Sequence, residues 1–122
     1  MSKNNLIQAK SYQFALDSIK LYNSLKQKNE YTISKQFLRC ATSIGANIEE
    51  AIGGHSRSDF YWKISIAYKE AREAHYWLRL LKDSKSLDLS TVKSYLKNSE
   101  ELIRILGSIQ KTLRENKTLP NS

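Results

Sequence analysis

Residues 59–81 read Asp59-Phe60-Tyr61-Trp62-Lys63-Ile64-Ser65-Ile66-Ala67-Tyr68-Lys69-Glu70-Ala71-Arg72-Glu73-Ala74-His75-Tyr76-Trp77-Leu78-Arg79-Leu80-Leu81. Phe60, Ile64, Ala67, Ala71, Ala74, Leu78 and Leu81 recur at steps of three and four, which places them on one stripe of a helix and makes that stripe a core seam. A second stripe holds Asp59, Lys63, Ile66, Glu70, Glu73, Trp77 and Leu80. It mixes ions with large apolar groups, so it reads as a flank buried against another helix or subunit, where Trp is enriched and charge must be paired. An exposed flank with i,i+4 ion pairs is the alternative. A third stripe, Trp62, Ser65, Lys69, Arg72, Tyr76 and Arg79, is basic and aromatic.

Working outward, the helical period governs the rest of the chain, and no useful length alternates as a strand does. A first helix is expected over about 6–28, with Tyr12, Ala15, Ile19, Tyr22 and Leu25 towards the core. A second is expected over about 33–52, with Phe37, Ala41, Ile44, Ile48 and Ile52 in line, capped by Thr32 or Ser34 and ended by Gly53 in a left-handed C′ position. The third runs over about 59–83 with Ser58 as N-cap and Asp59 in its first turn. The fourth runs over about 91–116 behind Ser90, and a tail, 117–122, carries the single proline, Pro120. Connections of about 4–7 residues suit antiparallel neighbours. The expected fold is therefore all-α, an up-down-up-down antiparallel four-helix bundle forming one domain over residues 1–122.

The 122 residues carry 20 Lys+Arg against 12 Asp+Glu, a net charge of +8. That excess favours polyanionic partners, nucleic acid or an acidic protein surface. It is concentrated at the chain ends: residues 1–31 and 91–122 hold +3 each. Cys40 is the only cysteine, which excludes an intrachain disulfide and a Cys-rich zinc site. No apolar run approaches the roughly 20 residues that span a bilayer. The first residues lack a signal-peptide pattern. A cytoplasmic protein without a membrane partner is the expectation.

One stretch matches a known family. Gln36-Phe37-Leu38-Arg39-Cys40-Ala41-Thr42-Ser43-Ile44-Gly45-Ala46-Asn47-Ile48-Glu49-Glu50-Ala51, followed by Asp59-Phe60, Lys69-Glu70-Ala71 with Glu73, and Tyr76-Trp77-Leu78, closely resembles the bacterial four-helix-bundle proteins of the 23S rRNA intervening-sequence family. The resemblance is most specific over residues 36–82 and extends loosely over the whole chain. Some members are encoded inside insertions in ribosomal RNA genes. The family is similar in fold to the accessory variability determinant (Avd) of diversity-generating retroelements. The resemblance implies a homopentameric ring of bundles with basic surfaces, and, through Avd, a reverse transcriptase as a possible protein partner.

Antiparallel packing places residues of the second and third helices at one height when their numbers sum to about 111. Arg39 is then expected near Glu73, Asn47 near Lys63, and Glu49-Glu50 near Tyr61 and Trp62. In the same way Glu70 is level with Arg104 of the fourth helix. Arg39, Ser43, Asn47, Glu50, Asp59, Lys63, Ile66, Glu70, Glu73, Trp77 and Leu80 are accordingly read as structural or interface residues. Gly45, in mid-helix, costs about 1 kcal/mol against Ala, so a packing reason is expected.

No constellation for catalysis emerges. Glu49-Glu50 and Glu70 with Glu73 lack the Glu-x-x-His pairs of di-iron bundles, so no metal is expected. His75 reads as a partly buried histidine and Cys40 as a small core residue. Gly53-Gly54-His55-Ser56 lacks the Lys-Ser/Thr of a phosphate loop, and Ser43 has no triad partner. Neither an enzyme nor a cofactor is expected. The basic stripe is the functional candidate. Trp62, Lys69, Arg72, Tyr76 and Arg79, with Lys97, Arg104 and Lys111 in line on the fourth helix, can contact phosphates and stack on unpaired bases. A solvated face and a protein-contact face are the competing readings. The expected function is a non-enzymatic, basic, oligomeric bundle associated with RNA or DNA. The alternative is a protein–protein adaptor or assembly factor.

Overall fold

A computed structural model describes residues 2–116, and every regular element among them is an α-helix. α1 spans Lys3–Gln27, α2 Thr32–Ile52, α3 Arg57–Asp83 and α4 Leu89–Glu115. Each packs on its neighbours in sequence, α4 returns to pack on α1, and the two diagonals do not meet. This is the expected up-down-up-down bundle. The expected tail, 117–122, lies outside the described residues.

The helix ends are set by local chemistry, and several differ from the expected caps. Ser2 accepts from the Asn5 N–H, Ser56 from Asp59 N–H and Asp88 from Thr91 N–H, each satisfying a donor that the first turn leaves free. Ser56 and Asp88 thus replace the expected Ser58 and Ser90. At α2 neither Thr32 nor Ser34 caps. The Glu30 carboxylate accepts from Ile33 N–H at 2.9 Å and Ser34 N–H at 2.7 Å. A carboxylate there also faces the positive end of the helix dipole. Gly53 closes α2 at φ −83°, so the expected left-handed glycine is not used. Asn29 and Lys85 take positive φ instead, 65° and 63°, after α1 and α3. Around them Glu30 N–H reaches Leu25 O, and Ser86 N–H reaches Leu81 O, the six-to-one closure of a Schellman turn.

The core is a continuous apolar column. Ile64, Ala67, Ala71, Ala74, Leu78 and Leu81 of α3 are buried as expected, while Phe60 is only half-buried at the end of the seam. Opposite them lie Phe37, Cys40, Ala41, Ile44, Ile48 and Ala51 of α2; Ile52, expected inside, is exposed. Phe14, Phe37 and Tyr95 meet edge to face, with ring centroids 6.2–6.5 Å apart, and tie α1, α2 and α4 at one level. The Tyr95 hydroxyl donates to Asp17 O at 2.6 Å.

α1 corrects the sequence reading most. Its buried face is Ile7, Ser11, Phe14, Ser18, Leu21 and Leu25, whereas Tyr12 is 66% exposed and Ile19 is also exposed. Two serines in the seam disguise its heptad spacing. Their hydroxyls donate to the helix itself, Ser11 to Gln8 O and Ser18 to Phe14 O, so no buried donor is left unmet. Gly45 faces Ser11, but an added Cβ would sit 3.5 Å from Ser11 O, an ordinary contact. The expected packing demand for glycine is therefore absent. Gly107 is tighter: a Cβ there would lie 3.2 Å from the Tyr68 ring.

Candidate nucleic-acid interface

α3 presents one flank to α2 and the other to α4, and the two carry different chemistry. On the α2 side, Arg39 Nη2 donates to Glu73 Oε2 at 2.6 Å, and Arg39 Nη1 stands 3.6 Å from Glu70 Oε2. The Trp77 indole N–H donates to the same Glu73 oxygen at 3.0 Å. Lys63 Nζ meets Glu50 Oε1 at 2.7 Å. The expected Arg39–Glu73 pair is present. Lys63, however, pairs with Glu50, one turn from the expected Asn47. Asn47 instead donates within α2 to Ser43 O and Ser43 Oγ, at 2.9 and 3.0 Å. Glu49 accepts from Gln8 of α1 rather than lying by Tyr61 and Trp62. Glu70 turns towards α2, so it does not meet Arg104, which pairs with Glu101 at 3.8 Å on α4. Asp59 is exposed in the first turn of α3. Ile66 is exposed, and Trp77 and Leu80 are half-buried.

Cys40 completes this cluster, a role the sequence did not reveal. Its sulfur and the Glu70 and Glu73 carboxylates lie within 4.8 Å of one another. Burial, reinforced by hydrogen bonding to Glu73, pushes the Cys40 thiol up to about 12. The thiol thus stays protonated, and its sulfur accepts from Arg39 Nη2 at 3.4 Å. Hydrogen bonds from Cys40 and then Trp77, together with Arg39, hold Glu73 below the usual carboxylate range. Glu70 Oε2 is buried and accepts no hydrogen bond, so the Arg39 charge is its compensation. The guanidinium supplies here the positive charge that a metal ion would supply in a site of this composition.

On the α4 side and the outer face, Trp62, Lys69, Arg72, Tyr76 and Arg79 are all exposed, Trp62 by 62% and Tyr76 by 45%. Ser65, placed on the same stripe, is buried and accepts from Gln110 Nε2 at 3.0 Å. His75, half-buried, meets Glu100 of α4 at 3.2 Å. These two contacts set the α3–α4 register. Arg72 is thereby level with Arg104, and Arg79 with Lys97. Lys97, Arg104 and Lys111 are exposed, seven residues apart along α4. Among the described residues none of Lys69, Arg72, Arg79, Lys97 and Lys111 enters an ion pair. Arg72 lies over the Tyr68 ring at 5.8 Å, and Arg79 over Tyr76 at 5.6 Å. Tyr68 was missed by the sequence reading; its i,i+4 spacing from Arg72 is the signal that could have found it.

A second surface was also missed. The outer side of α1 exposes Ala9, Tyr12, Leu16, Ile19 and Asn23, a strip without charge on a chain of net +8. It lies at the corner diagonal to α3. No helix among the described residues is long and apolar enough to cross a membrane.

The family model of the 23S rRNA-intervening sequence protein matches residues 3–108. Among solved structures, the chain is similar to a crystal structure of a protein with unknown function from the S23 ribosomal protein family of Bacteroides thetaiotaomicron VPI-5482. The two share 42% identity, over 90% of this chain and 99% of that one, with a TM-score of 0.87. Among curated proteins no relative matches the chain.

Proposed function

The chain belongs to the 23S rRNA-intervening sequence protein family, and we propose that it acts there without catalysis, as a basic, oligomeric, cytoplasmic bundle that holds RNA or DNA along the α3–α4 face. The observation that carries this reading is a cluster beside exposed Trp62 and Tyr76: Lys69, Arg72, Arg79, Lys97 and Lys111, none of which enters an ion pair among the described residues. An unpaired cation meets a phosphate without first breaking an ion pair, and each phosphate contact releases condensed counterions. Fluorescence anisotropy with labelled RNA and DNA, in low and in physiological salt, tests it. Binding that weakens steeply with salt is expected. Folded protein that binds neither probe at low salt removes the reading.

Assembly belongs to the same proposal. The uncharged strip of α1 and the Ile66, Trp77 and Leu80 flank of α3 point away from each other across the bundle. Two unlike surfaces that meet between copies make a head-to-tail contact, which closes into a ring when the rotation permits. A homopentamer is the expected closure. It repeats weak phosphate contacts and so raises avidity. Light scattering coupled to size exclusion should report about five times the 14.1 kDa chain mass. A stable monomer at micromolar concentration contradicts assembly, and a dimer or tetramer contradicts the pentamer. The adaptor reading, with a reverse transcriptase as one possible partner, draws on the α1 strip, since interface centres are poor in charge. A heterologous protein that protects Tyr12, Leu16 and Ile19 from hydrogen exchange would favour it.

A further inference from the structure

Trp62, Lys69 and Tyr76 stand seven residues apart on α3. Seven residues turn a helix by nearly two full turns and advance it by about 10.5 Å, so the three lie almost on one line about 21 Å long. The order along that line is aromatic, cation, aromatic. Both rings are braced edge-on: Tyr61 meets Trp62 at 72° with centroids 5.5 Å apart, and Trp77 meets Tyr76 at 69° and 5.1 Å. Trp77 is itself anchored through its N–H to Glu73. The aromatic pairs are therefore held by helical neighbours while Trp62 still offers most of its surface to water. Arg79 adds a cation against Tyr76, and Lys69 stands between the two rings with no ion-pair partner among the described residues. A surface that served only to attract phosphates would need the cations and gain nothing from an indole 62% exposed.

We infer that this line takes single-stranded nucleic acid, with an unpaired base stacked on Trp62 and phosphates at Lys69 and Arg79. The inference rests on the nucleic-acid reading of the α3–α4 face and narrows it. A duplex buries its base faces in its own stack and offers the indole nothing, whereas every unpaired base has an open π-face. Stacking of this kind tolerates sequence, in keeping with the lack of a base-reading motif.

Full-length protein is tested with labelled oligouridylate, oligothymidylate and a duplex of matching length. The Trp77→Phe variant leaves Trp62 as the sole tryptophan emitter, and both single strands are expected to quench it while the duplex does not. If that variant does not fold, the native protein is compared with Trp62→Phe, in which the quenching should disappear. Trp62→Ala should weaken single-strand binding roughly tenfold and leave duplex binding within about twofold. Oligouridylate and oligothymidylate differ in sugar as well as base methylation, so their affinities show whether the site prefers RNA or DNA; either order supports the inference. Duplex bound as tightly as single strand, or single strand bound without quenching, overturns it and leaves the broader reading intact. Failure to bind any probe removes both. Trp62→Ala protein of lower assembly mass but unchanged affinity assigns the indole to a second copy of the chain and overturns the inference.

Discussion

On the α2 side of α3, Arg39 is shared between Glu73 and Glu70, and Lys63 is held by Glu50. Towards α4 and the outer face, Lys69, Arg72 and Arg79 face water, and opposite them Lys97 and Lys111 do the same. His75 meets Glu100 there, at the joint between the helices. The same helix thus carries two kinds of charge. The paired kind compensates partly buried carboxylates and fixes the register of α2 against α3. The unpaired kind makes no ion pair among the described residues, touches the bundle through the Tyr68 and Tyr76 rings, and adds to the repulsion within a +8 chain.

This contrast can be broken from either side. The largest effect is expected from reversing the open side: Lys69→Glu, Arg72→Glu and Arg79→Glu together should weaken nucleic-acid binding by at least about 100-fold at moderate salt. Thermal unfolding should show a loss of no more than about 1–2 kcal/mol, from the two cation–π contacts at Tyr68 and Tyr76, because no ion pair among the described residues is lost. The mirror experiment is Arg39→Ala. It strands Glu73 and the buried Glu70 oxygen and should cost about 1–2 kcal/mol in urea unfolding, a figure kept small by solvent around both side chains of the Arg39–Glu73 pair. Nucleic-acid affinity should stay within about threefold.

The closed side should also respond to pH. Glu73 titrates lower in the folded chain than in the unfolded one, so its contribution is fully present above the unfolded value of roughly 4.3. It is lost as pH falls through that value and on through the lower folded one. Cys40 works the other way. Its neutral thiol contributes fully below roughly pH 8.5, and that contribution fades as pH rises from there towards about 12. Urea unfolding at pH 7 and pH 3 should show an acid loss that is smaller in Glu73→Gln. The smallest effect is expected at Gly45. Alanine fits there without a clash, and Gly45→Ala should stabilise the bundle by about 0.5–1 kcal/mol.

Much of this was legible in the sequence because α3 repeats its residue types with little interruption. Its core seam and the Arg39–Glu73 contact follow from helical period and antiparallel register alone. α1 was not legible. Ser11 and Ser18 occupy seam positions, while Tyr12 and Ile19 stand outside, so hydrophobicity placed Leu25 correctly but turned the rest of the expected face away from the seam. Serine can be buried in a helix because its hydroxyl returns to its own backbone, a bond that composition does not signal. The cap of α2 was hidden for a similar reason: Glu30 reaches forward from the preceding turn, where Thr32 and Ser34 were the expected caps. At the candidate site, residue type and spacing found the cations. Helical spacing already set Arg39 and Lys63 apart from Lys69, Arg72 and Arg79; the structure adds which carboxylates the first two reach, since pairing depends on which neighbouring helix lies within reach.

The salt dependence of binding tests that separation most directly. The slope of log affinity against log salt counts the phosphates that a protein neutralises. Replacing Lys69, Arg72 and Arg79 by alanine should make that slope shallower by about 2–3, whereas Arg39→Ala should reproduce the native slope. An unchanged slope in the triple variant, or an equal fall in Arg39→Ala, would contradict the division of α3 into a paired flank that builds the bundle and an open face that meets its partner.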